Sequence, residues 1–179
     1  MATAPYFITE DQFVGSISLD FGSPGFDDDF ATEFEEEILQ KLLGYQVFKA
    51  LIDDLDANND PATAKFTYIV DGITAGWSDD SGQLRQLKGI KVMLAYLFYH
   101  RYIEDVQTYQ TTIGSIELAV ENGVQNYAGR NKRAIRAWNK GVVYYRELYH
   151  YMEKIEGDTP DTYENWQYTD LETDNTFGI

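Results

Sequence analysis

Apolar and polar positions alternate along this chain with two distinct periods, and the longer-range one dominates. From Lys88 to Glu156 a dense segment, KGIKVMLAYLFYHRYIEDVQTYQ, leads through Thr112-Thr-Ile-Gly114 to a second long segment beginning near Asn131. In the first, Val92, Tyr96, Tyr99, Ile103 and Val106 recur at three-then-four spacing; in the second, Ile135, Trp138, Val142, Tyr145, Tyr149 and Met152 do the same. Each series draws one stripe on an α-helix, so the pattern predicts helices over about 83–109 and 131–155 that pack on each other or on neighbours. Between them, 111–120 alternates with period two, placing Ile116, Leu118 and Val120 on one side. Asn122-Gly123 is a two-residue hairpin signal, with 124–127 as the return strand.

Upstream, Thr9 with Gln12 three residues later reads as a helix N-cap, and Ile8 is placed to staple against Phe13. Residues 15–25 carry Gly, Ser and Pro and read as a linker. Asp27, Asp28 and Asp29 then open a helix, because carboxylates favour the positive end of its dipole. Its expected buried line is Phe34, Ile38, Leu42, Tyr45, Ile52 and Leu55, with Glu33, Glu35, Glu36 and Glu37 mainly on solvent faces, and Asn58-Asn-Asp-Pro61 as its stop. A shorter helix with Phe66, Ile69 and Val70 inward ends at Asp71-Gly72. Residues 73–82 read as a loop carrying Trp77. After Gly157-Asp-Thr-Pro160 the helical period vanishes, and 157–179 reads as an acidic, aromatic, extended arm, loose in the monomer, carrying Tyr163, Trp166, Tyr168 and Phe177.

The expected fold class is therefore mainly α: a bundle of about four helices over 1–156, a projecting β-hairpin at 112–127 and a C-terminal arm. The longest apolar run, 92–99, is far short of the roughly 20 residues a membrane-spanning helix needs, and the N-terminus has neither a basic start nor a long apolar stretch. A soluble chain with no membrane segment is the expectation.

Charge divides the chain. The net charge is −16, yet residues 10–60 hold 14 acids against 2 bases, residues 85–154 hold 6 against 11, and residues 155–179 hold 7 against none. An acidic front, a basic middle and an acidic end allow copies to attract one another head to side. Arg130, Lys132, Arg133, Arg136 and Lys140 gather at the start of the last predicted helix, where cations oppose the dipole, so helix stability does not explain them. They face phosphate, the acidic front of a neighbour or plain solvent, and the acidic total favours the neighbour over phosphate.

Reactive chemistry has little to stand on. There is no cysteine, which excludes thiolate nucleophiles and disulfides. His100 and His150 lack His-x-x-x-His or Glu-x-x-His partners, no nucleophile elbow or glycine-rich phosphate loop is present, and the acidic run reads as solvated. No catalytic, cofactor or metal residue is expected, and the chain reads as a non-enzyme. The 14 tyrosines and 3 tryptophans suit interfaces, being large, apolar and polar-tipped.

The order of short motifs resembles the head-to-tail connector (adaptor, ring) proteins of tailed bacteriophages, of the crAss-like and podovirus type. The residues that carry it are Ile8-Thr9-Glu10-Asp11, Leu42-Leu43-Gly44-Tyr45, Val70-Asp71-Gly72, Gly89-Ile90-Lys91 with Tyr96, Tyr99 and Tyr102, then Thr112 with Gly114, and Trp138-Asn139. The resemblance spans residues 6–156. It implies a virion protein in a homo-oligomeric ring of about twelve subunits below the portal. The genome passes through such a ring without sequence-specific binding, and the partners are the portal protein and tail or further ring proteins. The contact residues expected on this reading are Ile113, Ile116, Leu118 and Val120 of the hairpin, Arg130, Lys132, Arg133 and Arg136 of the basic cluster, and the four aromatics of the arm. The alternatives are another capsid-associated or tail-completion protein and, more distantly, a small helical hydrolase.

Overall fold

The computed structural model describes residues 5–18, 27–111, 114–117, 127–163, 166 and 168–173; for 105–111, 114–117 and 127–131 it describes the backbone course alone. The fold is mainly helical. Two 3₁₀ turns, Glu10–Gln12 and Gly15–Ile17, precede α1 (Asp28–Leu43), α2 (Tyr45–Asp53) and α3 (Ala64–Asp71). The hairpin β1 (Ile73–Ser78) with β2 (Leu84–Leu87) follows, then α4 (Gly89–Gln107), the hairpin β3 (Thr108–Thr111) with β4 (Gly114–Glu117), and α5 (Tyr127–Asp158).

The pairing of α4 with α5 is the most extensive in the molecule. Met93, Leu94, Leu97 and Phe98 of α4 and Val142, Leu148 and Met152 of α5 are fully or almost fully buried. The helices come close at Gly141, where an added Cβ would lie 2.6 Å from Leu97 Cδ2. The stripe on α4 differs from the expected one: Val92 is exposed, while Ile90, Met93 and Leu94 are buried. From Met93 to Tyr99 the helix is apolar nearly all round, so periodicity cannot choose its face and covering from several sides does. Phe98 shows this, its ring lying 5.6, 5.4 and 5.4 Å from those of Phe13, Phe30 and Phe34.

The α1 start is local chemistry. Asp27 caps it, its carboxylate accepting from the amides of Asp29 and Phe30 at 3.0 and 3.2 Å. The expected single helix onward to Leu55 is in fact broken at Gly44, whose φ of +75° ends α1 and redirects α2, leaving Tyr45 exposed and not buried.

Two further corrections concern the strands. The predicted loop 73–82 and the first residues of the predicted long helix form the β1–β2 hairpin. Its turn is held by Asp79, whose carboxylate accepts from Ser81 Oγ at 2.6 Å, Arg85 Nε at 2.7 Å and Gln83 N at 2.9 Å. These bonds, the Ser81 hydroxyl first, keep the Asp79 carboxyl well below the ordinary range. Where the hairpin meets the helices, Gly72 and Gly89 lie so close that a Cβ at Gly89 would stand 2.4 Å from the Val70 carbonyl oxygen. This junction starts α4 at Gly89, later than periodicity suggests. The second hairpin pairs Thr108–Thr111 with Gly114–Glu117, so the strand expected over 111–120 is divided between two short ones, and the turn expected at 122–123 lies outside the described residues. Tyr127, expected in the return strand, opens α5.

Within the acidic run one residue departs from the expected solvent face. Glu35 is fully buried among its exposed neighbours, and its carboxylate accepts the backbone amides of Tyr6 at 2.6 Å, Phe7 at 2.8 Å and Ile8. Burial raises its pKa to about 7 against the pull of those three donors. Glu35 continues the spacing of Ala31, Ile38 and Leu42, so the helical period itself marks the position.

Past Asp158 the described residues have no regular secondary structure, as expected, but they lie on the bundle and are not loose. A helix end leaves carbonyls without intrahelical donors. Here Leu42 O accepts from Tyr145 Oη and Trp166 Nε1, both at 3.3 Å, and Lys41 O accepts from Thr169 Oγ1 at 2.9 Å. Tyr163 is buried with its hydroxyl donating to Lys65 O at 2.9 Å, and Leu171 is buried too. The arm residues therefore cap the broken end of α1, a service no local pattern in 157–179 announces.

Candidate functional site

Three segments distant in sequence build a cavity of about 380 Å³: the second 3₁₀ turn with Ser16, α4 with Tyr96, and α5 with Arg133, Arg136 and Lys140. The α5 residues stand at three-then-four spacing, which brings them to one face. Lys140 Nζ donates to Tyr96 Oη at 3.0 Å and sits 4.7 Å above the Tyr96 ring, with the Tyr144 ring 5.9 Å away. Tyr96 and Tyr144 meet edge to face at 5.5 Å, and Tyr96 Oη also lies 3.2 Å from Ser16 Oγ. The flexible lysine is thus held at a fixed place on the rim.

The electrostatics follow from this packing. Burial pushes the Tyr96 hydroxyl up, but hydrogen bonds with Ser16 and Lys140 and the charges of Lys140 and Lys88 outweigh it and bring the pKa below the usual tyrosine value. The bond to Tyr96 raises Lys140, which therefore stays cationic at neutral pH. With Arg133 and Arg136 exposed on the same face, the cavity offers three cations and hydroxyl groups. Chemically it can hold carboxylates or phosphates.

A cleft of about 480 Å³ between the β1–β2 turn and the end of α5 has a different character. Its charges are largely spent on each other: Arg85 pairs with Asp79 at 2.7 Å and with Glu147 at 3.2 Å, and Lys154 with Asp80 and Asp158 at 3.1 Å each. These pairs fasten the hairpin to α5. Trp77 Nε1 in the cleft wall, and one carboxylate oxygen of Glu147 outside it, are buried without a hydrogen-bond partner. His150, on its rim, lies 3.8 Å from Glu153, and the His100 ring lies 5.2 Å from that of Trp138 at a tilt of 49°. Among the described residues no group of His, Asp and Glu is arranged to hold a metal ion.

The expected contact residues are placed unequally. Lys132, Arg133 and Arg136 are exposed on α5, and the structure brings the last two together with Lys140. Arg130 lies in the first turn of α5, its side chain outside the described residues. Ile116 pairs with Tyr109 across the β3–β4 hairpin, while Ile113, Leu118 and Val120 are outside the described residues, as is Phe177. Tyr163 belongs to the core and is withdrawn from partners. Trp166 is half-buried on α1 and α5, and Tyr168 stacks on Tyr145 at 5.9 Å with part of its ring exposed. Ser16 and Tyr96 were not among the expected contact residues, since nothing local ties them to Lys140. No helix among the described residues is long and apolar enough to cross a membrane. Comparison with family models, with curated proteins and with solved structures returned no match.

Proposed function

We propose that the chain is a structural subunit of a tailed-bacteriophage head-to-tail connector, one copy in a ring below the portal through which the genome passes. The observation that carries this reading is the division of exposed charge between two helices. Asp28, Asp29, Glu33, Glu36 and Glu37 are exposed on α1, and Lys132, Arg133, Arg136 and Lys140 are exposed on α5. A subunit with two different, complementary patches makes heterologous contacts, and these are the contacts that close into rings. The net charge of −16 supports the passage role, because an acidic assembly does not retain DNA by its phosphates. The order of motifs from Ile8 to Asn139 supports the same family, and with it a place in the virion, the portal on one side and tail or further ring proteins on the other. The reading calls for no enzyme activity and no cofactor. Negative-stain images of the purified protein, alone and mixed with a portal, test it: rings with a central hole, stacked on the portal, are expected. Particles without a hole that ignore the portal would refute it.

A further inference from the structure

We infer that α1 of one copy docks antiparallel along the first half of α5 of a second copy, pairing Asp29 with Lys140, Glu33 with Arg136 and Glu36 with Arg133. This deepens the assembly reading above and rests on it for the closed ring, but not for the contact itself. The two ridges agree in register. At 1.5 Å of rise per residue, Arg136 and Arg133 lie about 6 and about 10.5 Å from Lys140 along α5. Glu33 and Glu36 lie about 6 and about 10.5 Å from Asp29 along α1. The three-four spacing of the cations is the reverse of the four-three spacing of the acids. Opposite running directions therefore match every pair, whereas parallel helices would leave the central pair out of step by about 1.5 Å.

Each triplet also lies within one face of its helix, and all six side chains are exposed. The Lys140 end is already positioned, because Nζ is held on Tyr96 Oη at 3.0 Å and the ring lies beneath it. The cavity beside it, with Ser16 and Tyr96 on its wall, gives the incoming carboxylates hydroxyl donors as well as cations. A second copy is favoured over nucleic acid because the chain itself carries the matching acidic ridge, while its net charge of −16 opposes the approach of a phosphate chain. Since α1 and α5 offer different patches, one contact leaves the basic ridge of the first copy and the acidic ridge of the second uncovered, and the association continues around a ring.

The test uses two charge reversals on the full chain, E33K/E36K and R133E/R136E, with far-ultraviolet circular dichroism to verify helix content and sedimentation velocity to read association at low and high salt. Each variant alone is expected to self-associate about tenfold to hundredfold more weakly than the unaltered protein. An equimolar mixture of the two is expected to recover association, because the reversed α1 of one fits the reversed α5 of the other. The chain carrying all four changes is expected to recover it as well, and misfolded chains could not produce either rescue. High salt should weaken every one of these assemblies, as exposed pairs are screened. Association that ignores the reversals, or that falls without rescue in the mixture, overturns the inference. So does R133E/R136E losing affinity for a labelled single-stranded oligonucleotide while self-association is unchanged. Rings that persist in both variants would sink this contact and leave the connector reading standing; rescued association into particles without a central hole would do the reverse.

Discussion

Replacing Glu35 with alanine removes an acceptor from beneath three consecutive backbone amides. Tyr6, Phe7 and Ile8 all donate to its two oxygens, and Phe7 and Ile8 are 1% and 0% exposed, so their amides have no ready substitute. A buried donor left unsatisfied costs about 1–3 kcal/mol. The two buried ones cost about 2–6 kcal/mol and half-buried Tyr6 about 1 kcal/mol more, from which the relief of an unburied carboxylate and local detachment of the N-terminal segment are subtracted. The net expectation for Glu35→Ala is a loss of about 3–5 kcal/mol. Glu35→Gln keeps one oxygen for Phe7 and Ile8 but turns an amide toward Tyr6, and about 1–2 kcal/mol is expected. The pH dependence has a definite sign. The native pKa of about 7 lies above the ordinary 4.5, so the folded protein binds the proton more tightly than the unfolded one. This contribution is complete below pH 4.5 and is lost as pH rises through about 7. It amounts to roughly 3 kcal/mol across the window at about 1.36 kcal/mol per tenfold. Urea denaturation from pH 4.5 to 8, comparing the unaltered chain with Glu35→Gln, isolates it, since glutamine does not titrate. Hydrogen exchange at the Phe7 and Ile8 amides reports the segment itself. A Glu35→Ala protein within about 1 kcal/mol of the parent with those amides still protected, or a parent and glutamine variant with equal pH slopes, would refute the reasoning.

Gly141→Ala places a Cβ 2.6 Å from Leu97 Cδ2, and the α4–α5 contact should lose about 1–3 kcal/mol, partly offset by the roughly 1 kcal/mol that alanine gains in a helix. Adding Leu97→Ala should then cost less than it does alone, a coupling readable from chemical denaturation of the four-protein cycle. Truncation after Asp158 removes buried Tyr163 and Leu171 and the donors on Lys41 O and Leu42 O, so a loss of at least about 3 kcal/mol is expected by thermal or chemical melting, where a loose arm would leave stability unchanged. Asp79→Ala deprives the β1–β2 turn of its acceptor, and the Ser81 and Gln83 amides should exchange faster while the α4 and α5 amides keep their protection.

Short-range signals carried the fold class. The Asp27 cap, the inward Phe66, Ile69 and Val70, the stop at Asp71-Gly72 and the end of α5 near Gly157 all depend on neighbours within one or two turns, so residue order alone determined them. The dominance of helix and the absence of a long apolar span follow from the same local patterns. Glu35 was legible as well, because its spacing from Ala31 and Ile38 puts it on the buried line; its charge argued for solvent, and the acceptor it supplies to three distant amides decided otherwise. The β1–β2 hairpin had turn chemistry in Asp79 to Gly82, but its claim on Leu84 to Leu87 against a competing helical stripe rested on pairing across the sheet and on the close approach at Gly72 and Gly89. Tyr163, Trp166 and Thr169 show no period at all, and only the broken end of α1, about 120 residues earlier, gives them their place. The basic cavity belongs wholly to the tertiary structure: Ser16, Tyr96 and Lys140 are separated by 80 and 44 residues, and a site made of such contacts comes into being only when α4 and α5 pack and the N-terminal turn closes over them.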